Sequence, residues 1–551
     1  MDQVKITIPG HGVYIAPKGV NLGRFLASKK LLPLPCGGRG LCGQCIVRII
    51  EGEVSSPTVY EKLRPGIGGE YRLACQTRVL GDTVVELIYK PRLVVPRYSI
   101  EIAIEEPKPI YRLIPYREVL TSYKELLLSS SIEEDLGGVI SFNRVAVAGV
   151  REECMGEINH LLVDLGTTKI AYQIVDNNAK LVREGIVLNP LLSYGSDIIT
   201  RLTKAVESRK AAIEMYNELN KTLPSLAREN KCIGLCMVAG NSVMESLFLK
   251  MPLNTLAEKP FQPYLRGPFL HFLANNIPCL VAPLISGFVG GDAFADLALA
   301  EYLKTPTPYM IIDLGTNTEV ILVASRNHVG VYVTSAPAGP AFEGHITAGS
   351  IMGAGGIERI WLKGFNDRGE AVFEYRGSPT GLLGSGVVSL VAEIVRNKLV
   401  DKRGRIVKGY RVVNGIKSFA ITERPRPIVF TQIDLREFQK AMAAVKTSWK
   451  TLLDKAGYDP GDLRIVYISG TFGSFIDPLD AMFLGLVPPI GLSSIVVAGN
   501  MVLPGLKTLL FNRKHYKYML ELLPKIRHVN LAEEKGFMNK WIKNLEFNAL
   551  D

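Results

Sequence analysis

The sequence lacks a long apolar run. Its most apolar stretch, residues 277–289, is broken by Pro278, Pro283 and Gly287, so it is too short and too interrupted to span a membrane. The first residues also lack the basic and apolar regions of a secretory signal. These absences predict a soluble protein of the cytoplasm with no membrane partner.

Dense basic segments are absent too. The 551 residues include 64 Lys and Arg against 53 Asp and Glu, a formal net charge of +11, but the basic residues are dispersed. The densest group, residues 401–405, lies in a turn-like break. Because a dispersed excess is typical of a solvated surface, or of one that meets an acidic protein, we expect no nucleic-acid partner.

Several catalytic motifs are missing as well. No Gly-x4-Gly-Lys-Ser/Thr loop is present, and the seven histidines are scattered, with no Ser or Cys nucleophile beside a recognisable base. Cysteine is scarce, with eight residues in the chain. Four of them lie mostly in apolar, strand-like contexts, which favour buried free thiols over a second metal site: Cys154, Cys232, Cys236 and Cys279.

The other four cysteines form one motif. Cys36, Cys42, Cys45 and Cys75 have the spacing C-x5-C-x2-C-x29-C, and four thiolates can ligate one [2Fe–2S] cluster. The glycines between the first three let the backbone fold tightly around such a cluster. Zinc is the main alternative, but zinc ribbons pair two C-x2-C motifs, and here the fourth cysteine is solitary.

The segments around these cysteines predict a small α+β domain. We predict strands at residues 4–8, 13–16, 46–50 and 83–88, and a helix at residues 20–27. This order and the cysteine spacing resemble the plant- and vertebrate-type ferredoxins, whose fold is of the β-grasp type. The resemblance covers residues 1–90 and implies an electron carrier.

Residues 91–157 differ in character from both neighbouring regions. Prolines separate short segments here, and a helix is predicted at residues 116–129. We interpret the region as a linker with a small middle region. The sequence is equally compatible with a mobile tether for the N-terminal domain and with a connector packed rigidly on the rest of the chain.

Two matching segments follow. Residues 161–168 and 310–319 each place an apolar strand before the sequence Asp-Leu-Gly-Thr, 149 residues apart. A glycine turn with Thr hydroxyls can hold phosphate oxygens, and an Asp at the end of a strand can order a Mg²⁺-bound water or an attacking water. The predicted site residues are Asp164, Gly166, Thr167, Thr168, Asp313, Gly315, Thr316, Asn317 and Glu319, the last of which is equally well read as a strand carboxylate on a solvated face.

A third glycine segment, residues 465–474, follows another apolar strand and contains Gly470 and Gly473, which would let the backbone pass against an adenosine. The order of the three loops resembles the superfamily of acetate and sugar kinases, Hsp70 and actin. This resemblance implies two duplicated α/β lobes, residues 158–308 and 309–551, which close on a nucleotide between them.

Over nearly its full length the chain resembles the reductive activators of corrinoid proteins. The shared motifs are Asn189-Pro190, residues 194–201, 239–242, 287–292 and 338–344, Gly384-Ser385-Gly386, Phe472-Gly473, residues 485–488 and Gly499-Asn500. The resemblance implies ATP-dependent reduction of the cob(II)alamin of a corrinoid protein to cob(I)alamin. It further implies a [2Fe–2S] cluster, ATP and Mg²⁺ as cofactors, with Gly384, Ser385 and Gly386 among the cofactor-binding residues. An upstream electron donor and an anaerobic cytoplasm are also implied, and it stays open whether the chain forms a homodimer.

Some positions depart from the family pattern or have no assigned role. The departures are Pro337, Leu383 and Met442, which bear on partner docking more than on fold or nucleotide binding. Four polar residues in or beside glycine loops are further candidates for contact with nucleotide, metal or partner: Asp197, Asn241, Asp292 and Glu343.

Two other functions stay open. The chain could be an ATP-driven electron donor to another metalloenzyme, such as a dehydratase or a reductase of aromatic thioesters, although those activators generally hold a [4Fe–4S] cluster between subunits. It could also be a non-catalytic redox-sensing or chaperone-like module that binds a nucleotide and a partner.

Overall fold

The structure is a computed structural model that contains a small N-terminal domain, a three-stranded sheet and two larger lobes. It describes residues 2–29, 31–32, 34, 38, 40, 45–62, 67–87, 101–115, 136–142, 145–195, 197–230, 232–273, 276–315, 317–325, 330–336, 338, 341–342, 346–349, 356–423, 427–470 and 476–547. Within these ranges, no helix has both the length and the apolar character that a membrane crossing requires.

The N-terminal domain is a five-stranded sheet that packs against a short helix. Its strands have the order β2-β1-β5-β3-β4, and β1 runs parallel to β5. Alternate residues of β1, namely Val4, Ile6 and Ile8, point into the core, as the period of a half-buried strand requires. The elements are β1 (Gln3–Ile8), β2 (Gly12–Pro17), α1 (Leu22–Ser28), β3 (Ile46–Val54), α2 (Val59–Lys62), β4 (Tyr71–Leu73) and β5 (Val79–Leu87). The predicted ferredoxin-type order is confirmed.

The connecting region forms a separate antiparallel sheet of β6 (Tyr111–Pro115), β7 (Leu136–Phe142) and β8 (Val145–Arg151). Just before it, the backbone N–H groups of Lys108 and Ile110 donate to the carbonyls of Phe511 and Leu510 at 2.7 and 2.9 Å. The part of the connector at residues 101–115 is therefore packed on the body. The helix predicted at residues 116–129 lies outside the described residues.

The first lobe has a six-stranded sheet with the order β11-β10-β9-β12-β14-β13. Its strands are β9 (Asn159–Leu165), β10 (Lys169–Asp176), β11 (Leu181–Leu188), β12 (Ile233–Gly240), β13 (Phe269–Phe272) and β14 (Pro278–Val281). Its helices are α3 (Ile198–Glu207), α4 (Arg209–Ser225), α5 (Ser242–Phe248), α6 (Asn254–Ala257) and α7 (Gly291–Tyr302).

The second lobe has a six-stranded sheet with the order β24-β23-β15-β16-β17-β25 and two smaller sheets inserted after β17. Its strands are β15 (Tyr309–Leu314), β16 (Thr318–Val323), β17 (Val331–Ala336), β18 (Ile357–Phe365), β19 (Ala371–Gly377), β20 (Arg411–Val413), β21 (Ile416–Thr422), β22 (Ile428–Thr431), β23 (Ile465–Ser469), β24 (Ile495–Gly499) and β25 (Arg527–His528). Its helices are α8 (Gly384–Arg396), α9 (Gln432–Ala456), α10 (Pro478–Phe483), α11 (Val502–Phe511), α12 (Arg513–Leu522) and α13 (Phe537–Asn544).

The two lobes repeat one five-strand arrangement. In the first, β11, β10 and β9 pair antiparallel, and β12 and β14 continue parallel to β9. In the second, β17, β16 and β15 pair antiparallel, and β23 and β24 continue parallel to β15. The two Asp-Leu-Gly-Thr segments consequently occupy equivalent hairpins, β9–β10 and β15–β16. This duplication confirms the predicted kinase, Hsp70 and actin type of fold.

The lobes meet where helix α7 packs closely against helix α11. A Cβ atom built on Gly505 would lie 2.0 Å from the carbonyl oxygen of Ala295, and its nearest neighbours are all backbone atoms of Ala295. No side chain can move aside to relieve that overlap. Gly505 therefore permits the close contact between the helices that joins the lobes.

Replacing Gly505 with alanine should destabilise the protein by about 1–3 kcal/mol, because the two helix backbones must separate. The matched control is Gly461→Ala, where a Cβ would meet nothing within 4 Å. Urea unfolding of both variants measures the difference. Equal unfolding free energies for the two variants would contradict the close-packing argument.

One expectation about the cysteines is wrong. Cys154 and Cys232 form a disulfide, with their Cα atoms 5.3 Å apart. Cys232 directly precedes β12, which pairs with β9, and Cys154 lies in the turn before β9, so the sheet brings the two thiols together. Cys236 and Cys279 are buried free thiols, as expected.

A buried polar group joins the three-stranded sheet to the first lobe. The Tyr111 hydroxyl lies 2.7 Å from His160 Nε2 and donates to Asn177 Oδ1 at 2.8 Å. Burial lowers the pKa of His160 to about 4, although the hydrogen bond with Asn177 opposes the shift. The imidazole is consequently neutral at physiological pH.

His160 should make stability depend on pH in acid. Because the unfolded chain takes up a proton near pH 6.5 and the folded chain does so near pH 4, this contribution is complete above pH 6.5 and is lost as the pH falls to 4. Relative to His160→Gln, the unfolding free energy of the wild type should drop by about 3 kcal/mol over that range. Exposed His11→Gln serves as the control, and parallel wild-type and His160→Gln curves would refute the assignment.

Candidate functional site

The carboxyl ends of the main strands in both lobes open onto one cleft. Asp164 lies near the end of β9, Asn241 follows β12, Asp313 lies near the end of β15, Gly470 follows β23 and Asn500 follows β24. All five line the same cleft. In open α/β sheets this end of the strands is where ligands bind.

The structure brings together most of the predicted cleft residues. The lining includes Asp164, Gly166, Thr167, Thr168, Asp313, Gly315, Asn317, Glu319, Gly384, Ser385 and Gly470. Gly386 instead packs behind the site, because a Cβ there would lie 2.1 Å from the carbonyl oxygen of Ile357. The predicted residues Thr316 and Gly473, the candidate Glu343 and the departure Pro337 fall outside the described residues.

Side-chain hydrogen bonds join the loops of the cleft. Asn500 Nδ2 donates to Asp164 Oδ2 at 2.5 Å, which links the second lobe directly to the first. Asn241 Nδ2 donates to Thr167 Oγ1 at 3.1 Å, while its Oδ1 accepts from the N–H of Met244 at the start of α5. The turn at residues 166–168, between β9 and β10, is thus connected to helix α5 of its own lobe. Asp164, just before this turn, connects it to the second lobe.

Buried carboxylates dominate the electrostatics of the cleft. Burial raises the pKa of Asp164 to about 7, the charge of Asp292 adds to the rise, and the bond from Asn500 opposes it. Burial likewise raises the pKa of Asp292 to about 6. The pKa values of Asp296 and Glu319 are raised well above their usual range, first by burial and then by the charges of neighbouring Asp side chains. Ionising all of these groups together requires a counter-charge.

The cleft fits a cation that arrives with phosphates. Among the residues that the structure describes, no three His, Cys, Asp or Glu side chains are placed to hold a metal ion by themselves. Mg²⁺ usually binds through one or two carboxylates together with substrate phosphates and water. Asp164 and Asp292 both line the cleft, their charges interact, and they offer that donor set.

Two carboxylates of the second lobe lie side by side. Asp313 on β15 pairs across the sheet with Glu319 on β16, and both line the cleft. Glu319 Oε1 accepts a hydrogen bond from Ser335 Oγ at 2.9 Å. The solvated-face reading of Glu319 is therefore wrong, since its side chain is buried in the cleft.

The remaining candidates divide into cleft and structural residues. Asn241, Asp292 and Leu383 line the cleft. Asp197 instead caps helix α3 by accepting from the N–H and Oγ1 of Thr200, both at 2.8 Å. Met442 is a core residue with 1% of its surface exposed.

Asp296 was missed by sequence reasoning, although its spacing of four residues from Asp292 places both on one face of α7.

Two of the four predicted cluster ligands lie in the described part of the N-terminal domain. Cys45 and Cys75 are buried, and the N–H of Ala74 donates to the carbonyl of Cys45 at 2.8 Å. Gln76 Nε2 donates to the carbonyl of Gly38 at 2.9 Å, so the Cys75 segment contacts the cysteine-rich loop. Cys36 and Cys42 lie outside the described residues.

The surroundings of Cys75 fit a rigid ligand loop. A Cβ on Gly23 would lie 2.6 Å from both the N and the Cα of Cys75, so helix α1 packs directly on the backbone of Cys75. Asn21 Nδ2 donates to the carbonyl of Cys75 at 2.8 Å. Buried Glu61 accepts from Arg72 Nε at 2.9 Å and from the N–H of Leu73 at 3.0 Å, which fixes the strand that leads to Cys75.

Gly23→Ala should weaken cluster retention, because the new Cβ displaces the backbone of Cys75. We expect iron loss to a chelator about tenfold faster than in the wild type, the scale typical of changes next to a ligand. Gly69→Ala is the matched control in the same domain, since a Cβ there meets nothing within 4 Å. Iron content and visible absorption after anaerobic reconstitution provide the measurement, and wild-type retention by Gly23→Ala would show that the contact is unimportant.

Three family models match the sequence. Residues 6–80 match the 2Fe-2S iron-sulfur cluster binding domain, residues 160–305 the RACo middle region, and residues 307–551 the C-terminal domain of RACo, the ASKHA domain. The chain thus combines a [2Fe–2S] domain with a two-lobed ASKHA body.

Two relatives and one solved structure align with most of this chain. Corrinoid activation enzyme RamQ of Eubacterium limosum is 27% identical over 576 aligned positions, with 94% of each chain covered. The [Co(II) methylated amine-specific corrinoid protein] reductase of Methanosarcina barkeri is 25% identical over 429 positions, covering 70% of this chain and 76% of that protein. The solved structure of a reductive activator for a corrinoid, iron-sulfur protein superposes with a TM-score of 0.70 at 22% identity, with 98% of each chain covered.

The fold and the site therefore define a two-lobed ASKHA protein with a ferredoxin domain at its N-terminus. The matches to the [2Fe–2S] domain, to the RACo middle region at residues 160–305 and to the ASKHA domain confirm the resemblance to the reductive activators of corrinoid proteins.

Proposed function

We propose that this protein reduces the cob(II)alamin of a partner corrinoid protein to cob(I)alamin in an ATP-dependent reaction in the cytoplasm. The observation that carries the proposal is the union, in one chain, of a [2Fe–2S] domain and a cleft lined by two matching Asp-Leu-Gly-Thr turns. The names of the relatives, a corrinoid activation enzyme and a corrinoid protein reductase, support the choice of substrate.

The proposed electron-transfer site is the N-terminal domain, residues 1–90, with Cys36, Cys42, Cys45 and Cys75 as cluster ligands. A bound plant-type [2Fe–2S] cluster would supply one electron at a potential of about −400 mV, after reduction by an upstream donor. Gly23 contributes by allowing helix α1 to press on the ligand backbone.

The proposed nucleotide site lies between the lobes, residues 158–308 and 309–551, with residues 91–157 as the connector. The turns at residues 166–168 and 315–317 would hold the phosphates of MgATP from opposite sides. The start of α8, at Gly384 and Ser385, adds backbone N–H groups at a helix N-terminus. The third glycine segment, with Gly470 and Gly473, would accommodate the adenosine.

The proposed hydrolytic groups are three carboxylates. Asp164, bound to Asn500, would orient water around the cation at the phosphates. Asp313 and Glu319 would position the attacking water, and the raised pKa of Glu319 makes it a stronger proton acceptor than an exposed glutamate. Ser335 holds the Glu319 carboxylate in place for that role.

ATP would bias the reaction by acting on lobe closure. A ligand shifts a conformational equilibrium only if it binds one state better than the other. A nucleotide that contacts turns in both lobes is held fully only when the cleft is closed. We propose that the closed form is the one that engages the corrinoid protein, so that ATP binding favours electron delivery and hydrolysis releases the partner.

The test is anaerobic reduction of a cob(II)alamin-loaded corrinoid protein by the reduced full-length protein, with and without MgATP. We expect the cob(I)alamin absorbance to appear only with MgATP. Asp313→Asn should lower the rate by about 100-fold or more, because the attacking water loses a positioning carboxylate. Asp367→Asn, the same change in an exposed turn, is the matched control.

Three other outcomes would contradict the proposal. Equal rates with and without MgATP would remove the nucleotide from the mechanism. ATP hydrolysis without any cob(I)alamin, with the cluster spectrum intact, would indicate a donor for a different metalloenzyme. A Cys75→Ser variant that lacks the cluster but keeps its biological activity would indicate a non-catalytic module.

A further inference from the structure

The turn between β9 and β10, residues 166–168, is held by hydrogen bonds from Asn189 and Arg201. Each of its three carbonyl groups accepts a hydrogen bond from a residue that follows later in the first lobe. Asn189 Nδ2 donates to the carbonyl of Gly166 at 2.7 Å, and the Asn189 backbone N–H donates to that of Thr168 at 3.0 Å. Arg201 Nη2 donates to the carbonyl of Thr167 at 2.6 Å.

This anchoring fixes the direction of the peptide groups. In a trans peptide the C=O of one residue and the N–H of the next point to opposite sides of the chain. Holding the carbonyls of Gly166 and Thr167 against their anchors therefore turns the N–H groups of Thr167 and Thr168 the other way. Thr167 and Thr168 line the cleft, whereas Asn189 and Arg201 are not among its lining residues, so we infer that the N–H groups face the cleft. Successive N–H groups aimed into a concavity are an anion-binding arrangement.

The anchors are themselves rigid. The Arg201 side chain is fully buried, and its Nε donates to the carbonyl of Gly195 at 2.9 Å. Its Nη1 contacts Met244 Sδ at 3.0 Å, which ties the guanidinium to helix α5. Asn189 is 1% exposed, and its Oδ1 accepts from the N–H of Leu191 at 2.8 Å. Neither side chain can rotate away from the turn without losing a second bond.

Arg201 also contributes charge. A guanidinium is ionised at all relevant pH values and is held here one hydrogen bond from the turn. Its field acts across the turn toward any group that contacts the N–H side. The residue would favour an anionic ligand in a cleft whose other buried groups are mainly carboxylates.

We propose that Asn189 and Arg201 are positioning residues that hold the Gly166–Thr168 turn with its N–H groups toward the cleft, and that they make the cleft selective for phosphate-bearing nucleotides over nucleosides. The inference rests on the proposed function, in which this cleft binds MgATP. It adds the residues that set the preference for phosphate and the way in which they do so.

The experiment compares the affinities of MgATP and adenosine for the full-length protein by titration calorimetry. Asn189→Ser and Arg201→Met should each weaken MgATP binding by about tenfold or more, the scale of a lost hydrogen bond to a charged group. Adenosine affinity should change less than about twofold, because it does not depend on the turn. Arg201→Lys, which keeps the charge but not the fork of donors, should lie between wild type and Arg201→Met.

Asn220→Ser is the matched control, because Asn220 is also a buried asparagine, with 8% of its surface exposed, but it lies on α4 and donates to the carbonyl of Tyr216. It should bind both ligands as the wild type does. Should Arg201→Met fail to fold, Asn189→Ser and Arg201→Lys carry the same comparison.

The outcomes distinguish the positioning role of Asn189 and Arg201 from the proposed binding of MgATP in the cleft. If wild type binds MgATP and the variants lose both ligands equally, or neither, the positioning role is refuted while the proposed function stands. If wild type binds no MgATP, the cleft assignment fails and this inference fails with it.

Discussion

Buried carboxylates from both lobes face one another in the cleft and set its electrostatic requirements. Asp164 and Asp292 belong to the first lobe, Asp313 and Glu319 to the second, and all four line one cleft. Burial and mutual repulsion raise the pKa values of Asp164 and Glu319. Like charges confined in a poorly solvated space repel one another, so a ligand that brings positive charge into the cleft would offset that repulsion. A cation bound to nucleotide phosphates meets that requirement.

The contacts that hold the lobes are placed around this cleft. Asn500 reaches Asp164 from the second lobe, and Gly505, a few residues later, allows α11 to pack on α7. At its far end, α11 presents the carbonyls of Leu510 and Phe511 to the connector at Lys108 and Ile110. One helix thus touches the cleft at its start and the chain leading from the ferredoxin domain at its end. A rotation of α11 with its lobe would therefore displace the carbonyls to which Lys108 and Ile110 donate.

Local patterns in the sequence were sufficient to predict much of this. The repeated Asp-Leu-Gly-Thr segments predicted equivalent strand ends, and the duplicated fold brings both to the lining of one cleft. Contacts between distant segments could not be predicted in this way. Asn500 pairs with Asp164 across 336 residues, Arg201 binds the carbonyl of Thr167, and Cys154 reaches Cys232 only because β12 pairs with β9. Such pairs depend on packing, which hydrophobic period and turn residues do not encode.

The most direct test of the account is the dependence of nucleotide binding on the cation. Calorimetric titration of the full-length protein would compare ATP with excess Mg²⁺ against ATP with a chelator. The account predicts that removal of Mg²⁺ weakens ATP binding by at least about tenfold, because unneutralised phosphates would face the buried carboxylates. Equal affinities in the two conditions would contradict the central role assigned to those carboxylates.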